Sequence, residues 1–320
     1  MNLPTATHLV GSVAFRTNDT WKSPVACDVE QLGWNVYDPG PANGAILVER
    51  IRTFGSKVVD LETNTQRLIL GARIFSLPSD RVATSFQDMV MEIVRENINL
   101  IRSQGDVSIV LVYSPTDDGG WQSIAHLTPL PFLKLKGWYT NGTSLYTSEI
   151  KIPTSEDMPN SIKHRSRLHY WLADRSAHLQ NQAGIAILET TDGAIADTSV
   201  ANTVIVTKQG DWVAPTSRNA MHGTTLRRVY RLLKKNGEEL IFSDFRKKDM
   251  LEASEVLMLG TTGCIWKATQ LDNEPLGADP EVPKTKWLQS LWREWVGIDV
   301  VQQAIERTDC LATTPAEDNP

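Results

Sequence analysis

Cysteine is scarce in this 320-residue chain: Cys27, Cys264 and Cys310 stand far apart, with no CxxC spacing. That excludes a disulfide framework and a thiolate zinc site, and it fits reduced thiols in the cytosol. No run of about 18 apolar residues occurs, so no membrane-spanning helix is expected. The N-terminal MNLPTATHLVGSVAF lacks a basic region followed by an apolar core, so no secretory signal is expected. A basic excess is also missing: 32 Lys and Arg face 38 Asp and Glu, for a net charge of −6. Nucleic-acid binders normally show a basic face, which disfavours that class. There is no GxGxxG after a strand, no GxxxxGK[ST], no GxSxG and no HExxH. His164, His169 and His178 do not share a helical face, so they read as solvent or packing residues and no metal site is expected. These absences together describe a soluble cytoplasmic protein.

What is present is ordinary globular composition, 41% apolar and 22% charged. The length suggests two lobes, each with a core large enough to need no disulfides. In GAILVERIRTFGSKVVDLETNTQRL, two β-branched runs flank Gly55-Ser56 as a hairpin, and a helix follows. Phe86, Met89, Val90, Ile93 and Ile98 predict one amphipathic helix ending at Gly105. DVSIVLVYSP then reads as a strand buried on both faces. Residues 115–137, rich in Pro, Gly, Asp and Thr, read as the boundary between lobes. Beyond them, 183–216 is a succession of strands, followed by a helix from about Thr225 to Gly237 and the strand EVLMLG. A last helix carries Trp287, Leu288, Leu291, Trp292 and Trp295 on one stripe, which marks burial. The organisation expected is an N-terminal lobe over 1–130, a C-terminal lobe over 131–307 and a disordered tail over 308–320.

Two stretches suit a phosphate. HGTTLRRV puts Gly223, Thr224 and Thr225 at a helix start, where free amides and the helix dipole favour an anion. LMLGTTGC puts Gly260-Thr261-Thr262-Gly263 after an apolar strand, a turn able to aim amides and hydroxyls at an anion. Either alone is an ordinary cap or turn. In SIKHRSRLHYW, Lys163 in isolation is a surface charge ahead of a helical run. Crowding by Arg165 and Arg167, with partial burial, would lower its pKa and make its amine nucleophilic. A Schiff-base lysine, a phosphate cup and a carboxylate for a ring nitrogen together describe pyridoxal phosphate binding. Asp197 is the candidate acid, although a turn aspartate is the commoner reading of such a residue.

The order of these segments resembles the class IV, fold type IV pyridoxal-phosphate aminotransferases, from about Gly44 to about Gln270. That family includes branched-chain aminotransferases, D-amino-acid transaminases and aminodeoxychorismate lyases. The block ending at Arg67, the lysine block IKHRSRLHYWLADRSAHLQNQAG, DGAIADTSVANTVIV and the two Gly-Thr blocks follow the family's order. The resemblance implies an α+β, two-lobed fold, with a smaller N-terminal α/β lobe and a larger C-terminal lobe built on a barrel-like sheet. It implies pyridoxal 5'-phosphate as cofactor, held as a Schiff base by Lys163, which then moves the proton. Arg67, Thr224, Thr225 and Thr261 would hold the phosphate. Asp197 would protonate the pyridine nitrogen, and Thr261-Thr262 would seat the substrate carboxylate. Asp197 is one methylene shorter than the family's glutamate. Val48 and Asn64 replace an aromatic and a histidine, and Leu226 stands where the family has arginine, with Arg227 one position later. The implied activity is amino transfer from an amino acid, branched-chain or similarly apolar, to a 2-oxo acid, in a homodimer. KHRSRL is also similar to the lysine block of the lyases, which keeps pyruvate release as an alternative. The shortened acid keeps a weakly active or non-catalytic homologue as another.

Overall fold

The structure is a computed structural model that describes residues 9, 11–18, 24–153, 159, 161–277 and 283–313. The first sheet is six-stranded and antiparallel throughout. Its strands are β1 (Val13–Asn18), β2 (Val25–Asp28), β3 (Leu47–Phe54), β4 (Lys57–Val58), β5 (Val107–Pro115) and β6 (Trp121–Pro129), in the order β2-β1-β6-β5-β3-β4. Gly55 and Ser56 both take positive φ, as a tight two-residue hairpin turn between β3 and β4 requires. After the short α1 (Pro39–Asn43), helices α2 (Leu61–Ile74), α3 (Ser79–Glu96) and α4 (Ile98–Gln104) cover one face of this sheet. Phe86, Met89, Val90 and Ile93 of α3 are wholly buried, each contributing about 1.5–3 kcal/mol.

The single helix expected from Phe86 to Gly105 is broken at Asn97. The buried Asn97 side chain accepts from the Val13 amide and donates to the carbonyls of Val13 and Ile93. It thereby fastens the break to β1. The segment 115–137, in which a lobe boundary is expected, contains β6, the nine-residue neighbour of both β1 and β5, and the first residues of α5. Only its start is a turn; its prolines fall at strand ends, where no ladder bond is lost.

The second sheet begins after α5 (Phe132–Asn141). Its strands are β7 (Thr143–Thr147), β8 (Ile185–Glu189), β9 (Ile195–Thr198), β10 (Asn202–Val206), β11 (Trp212–Ala214), β12 (Leu240–Phe242), β13 (Glu255–Gly260), β14 (Cys264–Leu271) and β15 (Glu274–Pro275). The path is β12-β11-β10-β13-β14-β7-β8-β9, with β15 paired to β14. Strand β9 ends that path, yet the Thr198 amide donates to the Ala201 carbonyl beside the start of β10. The sheet is therefore curled, in agreement with the barrel-like expectation. Helix α6 (Leu168–Gln180) follows β7. Helices α7 (Thr224–Lys235) and α9 (Lys284–Val296) pack on the sheet through Leu226, Val229, Leu233, Leu288 and Trp292, and the short α8 (Lys247–Glu252) precedes β13.

Helix α10 (Val300–Thr313) departs from the sequence reading. Residues 308–313, expected in a disordered tail, continue it; the rest of that tail lies outside the described residues. Ala304 is buried, and Gln303 donates to the Gly105 carbonyl and Asp106, so α10 braces the first lobe from the C-terminus. Val300 and Ala304 also enter the apolar clusters of the second sheet.

Candidate active site

The lobes are stitched where Lys163 lies. The Val48 amide donates to the Lys163 carbonyl at 2.9 Å, and the Arg165 amide donates to the Ile46 carbonyl at 2.9 Å. These bonds lay residues 163–165 along the edge of β3, before α6 starts at Leu168. Beside this seam opens a cleft enclosing ≈ 800 Å³, its mouth included. Lys163, Asp197, Arg67, Thr224, Thr225 and Thr261 all line it. Thr262 lies just outside, its carbonyl accepting from Arg52 Nη1 at 2.6 Å.

Lys163 is half-buried, and no hydrogen bond or ion pair among the described residues engages its amine. Burial first, then the charges of Arg67 and Arg167, lower its pKa from 10.5 to about 7. Arg165 is not a cause of that shift: it is exposed, and only Arg167 of the two acts on Lys163.

Asp197 sits in β9, not in a turn, and is 4% exposed. Its Oδ1 accepts from the Thr198 amide at 3.0 Å and from Asn202 Nδ2 at 3.3 Å. Its Oδ2 has no partner among the described residues. Burial raises its pKa to about 7, against the opposing pull of those donors, Arg167 and Lys163.

Arg67 of α2 is buried, and Glu49 holds it through both carboxylate oxygens. Asn64 donates to the same carboxylate at 2.8 Å. Across the cleft, Gly223 caps α7, leaving the first amides of that helix without intrahelical acceptors. The hydroxyls of Thr224, Thr225 and Thr261 make no hydrogen bond among the described residues. Gly260 is fixed by crowding: a Cβ there would stand 2.5 Å from the Val200 carbonyl oxygen.

Several lining residues escaped the sequence reading. Asn202 joins the acid to the helix cap, donating to Asp197 and to the Met221 carbonyl while accepting from the Gly223 amide at 3.0 Å. Its place inside DTSVAN was the available signal. His164 and His169, read as solvent or packing residues, line the cleft, and burial with nearby Arg167 lowers His169 to about 4. The spacing argument about one helical face still holds, but His164 precedes the helix and reaches the cleft through the seam. Arg227 turns back onto the His222 carbonyl, and Leu226 enters the core.

The donor set suits pyridoxal phosphate: an amine and a carboxylate oxygen without partners among the described residues, and amides, hydroxyls and Arg67 grouped for a phosphate. The comparisons agree. The model of the class IV amino-transferases matches residues 46–271, spanning parts of both sheets. A D-alanine aminotransferase of Bacillus licheniformis is 22% identical over 276 residues, 84% of this chain and 91% of its own. The fold matches a hypothetical aminotransferase from Mycobacterium tuberculosis in its PLP-bound form, with TM-score 0.74 and 19% identity over 90% of this chain and 99% of that one. It also matches the branched-chain amino acid aminotransferase of Escherichia coli, with TM-score 0.75 and 19% identity over 90% and 94% of the two chains. The chain belongs to the class IV aminotransferases, and with them it is a pyridoxal-phosphate-dependent transaminase.

Proposed function

We propose that Lys163 and Asp197 are the acting pair of this transaminase, moving an amino group from an amino acid to a 2-oxo acid. The observation that carries the reading is their convergence, both without a partner at the reacting atom among the described residues, on a cleft that Arg67, Thr224, Thr225 and Thr261 also line. The bound cofactor would supply an aldehyde to hold the amine and a protonated ring to accept electrons from the substrate Cα. Arg67, the α7 amides, Thr224, Thr225 and Thr261 hold the phosphate. Asp197 Oδ2 holds a proton on the ring nitrogen; Asn202 and Thr198 fix its carboxylate so that the shorter side chain still points into the cleft. Lys163, about half deprotonated at pH 7, would take the substrate Cα proton and return it two atoms along, a 1,3 shift. The Thr261–Thr262 turn seats the α-carboxylate.

The apolar, branched-chain donor rests on the likeness to branched-chain enzymes and on no lining residue. Pyruvate-releasing lyase chemistry is a second reading, favoured by Arg167 of the KHRSRL block lining the cleft. A cytoplasmic homodimer belongs to the same proposal. Its support is the exposed apolar stripe of Leu168, Trp171, Leu172 and Leu179 on α6, beside the cleft. Among the described residues no helix is long and apolar enough to cross a membrane.

The test is colour and product. Protein with added pyridoxal phosphate should develop a visible absorbance band, which borohydride discharges while fixing the pyridoxyl group onto the peptide containing Lys163. A panel of amino donors with 2-oxoglutarate, set against pyruvate release from aminodeoxychorismate, then separates transferase from lyase. Absence of the band, or attachment elsewhere, overturns the assignment of Lys163.

A further inference from the structure

A second cavity, enclosing ≈ 360 Å³ with its mouth included, adjoins the phosphate donors: Thr224, Thr225 and Thr261 line both it and the cleft. Phe54, Trp292 and Trp295 give it an aromatic side, and its charged lining residues are Arg52, Asp60 and Arg228. Two of these charges are spent on each other. Arg228 Nη2 pairs with Asp60 Oδ1 at 2.7 Å, and Arg228 Nε donates to Asp60 Oδ2 at 3.1 Å. Among the described residues no carboxylate pairs with Arg52.

Arg52 is 1% exposed, and the groups that accept from its guanidinium are neutral. Nη1 donates to the Thr262 carbonyl at 2.6 Å, and Nη2 donates to Gln303 Oε1 at 2.7 Å. The Cys264 thiol lies against both Arg52 and the Trp292 indole, its sulfur 3.7 Å from Nη1. Burial raises the pKa of that thiol, so it stays protonated, and sulfur is a weak acceptor. Arg52 Nε has no partner among the described residues, and neither has Nε1 of Trp292, itself 4% exposed. Buried N–H groups are nearly always satisfied, so two unpartnered ones on residues of one cavity wall call for an acceptor. A buried cation with only neutral partners calls for a negative one. One uncancelled charge matches a monovalent ion. Aromatic rings, positive at their edges, suit a halide better than a phosphate, which needs a nest of donors.

We propose that this second cavity is a binding site for a small monovalent anion of the halide class, chloride above all, held by Arg52 Nε and Trp292 Nε1. The ion satisfies the guanidinium that fastens the Thr262 carbonyl, and so steadies the turn whose Thr261 lines both cavities. The site stands apart from the transaminase reading, since neither donor belongs to the phosphate cup.

The experiment is thermal melting of the holoenzyme, whose phosphate cup the cofactor fills, as sodium chloride replaces sodium gluconate at fixed ionic strength. The Tm should rise saturably with chloride, by roughly 2–4 °C at about ten times the dissociation constant. Trp292→Phe keeps a ring in place and removes one N–H, and should weaken chloride binding on the order of 10-fold. Arg52→Gln should abolish the chloride dependence. Crystals grown in bromide should show anomalous scattering in the second cavity, within contact distance of both nitrogens. Equal melting in chloride and gluconate overturns the site, as does a dependence that survives unchanged in Trp292→Phe. A bromide peak without the saturable gain marks an adventitious ion only and overturns it too. If the protein takes up no cofactor, the transaminase reading falls by itself, and the bromide map still decides for or against the anion.

Discussion

Glu49 grips Arg67 with both carboxylate oxygens, accepting from Nε at 2.8 Å and from Nη2 at 2.5 Å, with both side chains almost wholly buried. Strand β3 and helix α2 are thus joined by an ion pair that also aims a guanidinium into the cleft. Breaking such a pair from one side leaves an uncompensated buried charge, which costs about 3–5 kcal/mol. Glu49→Gln should therefore destabilise the cofactor-free protein by about 3 kcal/mol or more. Pyridoxal phosphate brings an anion of its own, so the loaded variant should recover much of that loss. Denaturant melts of both proteins, with and without cofactor, measure the difference. Equal destabilisation in the two states would detach Arg67 from the phosphate.

Asp197 answers a different question, whether a short acid suffices. Asp197→Asn keeps the shape but removes the negative charge facing the ring nitrogen. The amino-transfer rate should fall on the order of 10²- to 10³-fold, as when one preorganised electrostatic partner is lost. Asp197→Glu inserts a methylene into a site packed against Asn202 and Thr198, which costs about 1–3 kcal/mol of stability. Stopped-flow half-reactions and thermal melts check both. An Asn variant with wild-type rate would remove Asp197 from the chemistry.

Much of this was legible in the chain because it depended on local order. Lys163, Arg67, Asp197 and the two Gly-Thr turns lie in motif blocks, and the β-branched run ahead of Gly55-Ser56 marked β3 directly. Pairings between distant residues were not legible. Nothing near Asn97 announces that it will break a helix to hold β1, since its partner Val13 lies far upstream in the chain. The Pro- and Gly-rich region before α5 hid β6, because strand-end prolines read locally as loop. Helix α10 escaped for the same reason: its docking bonds run to Gly105 and Asp106, far upstream.

That docking makes the C-terminal helix testable as a brace for the site. Gln303 Oε1 accepts from Arg52 Nη2 at 2.7 Å, and Arg52 Nη1 donates to the Thr262 carbonyl at 2.6 Å. Gln303→Ala would strip one partner from a buried guanidinium and one from Asp106. The expected loss is about 1–3 kcal/mol. The turn it steadies should loosen, raising KM for the amino donor while cofactor absorbance stays unchanged. A stability loss with KM unmoved would confine Gln303 to folding.

Lys163 and Asp197 also predict an opposed pH dependence of stability in the cofactor-free protein. Burial raises Asp197 from 3.8 to about 7, so between those values the folded state binds more protons there than the unfolded state. Its contribution is fully present below the lower value and is lost as pH rises through about 7. Lys163 is lowered from 10.5 to about 7, so between those values the unfolded state binds more protons. Its contribution is present above the higher value and is lost as pH falls through about 7. The two contributions make a shallow minimum near neutral pH. Asp197→Asn should remove the descending limb, and Lys163→Met the rising one. Urea denaturation of the three cofactor-free proteins from pH 4 to 10 reads both limbs. Wild-type-minus-variant differences that stay flat across either window would show that the corresponding group titrates as it does in the unfolded chain.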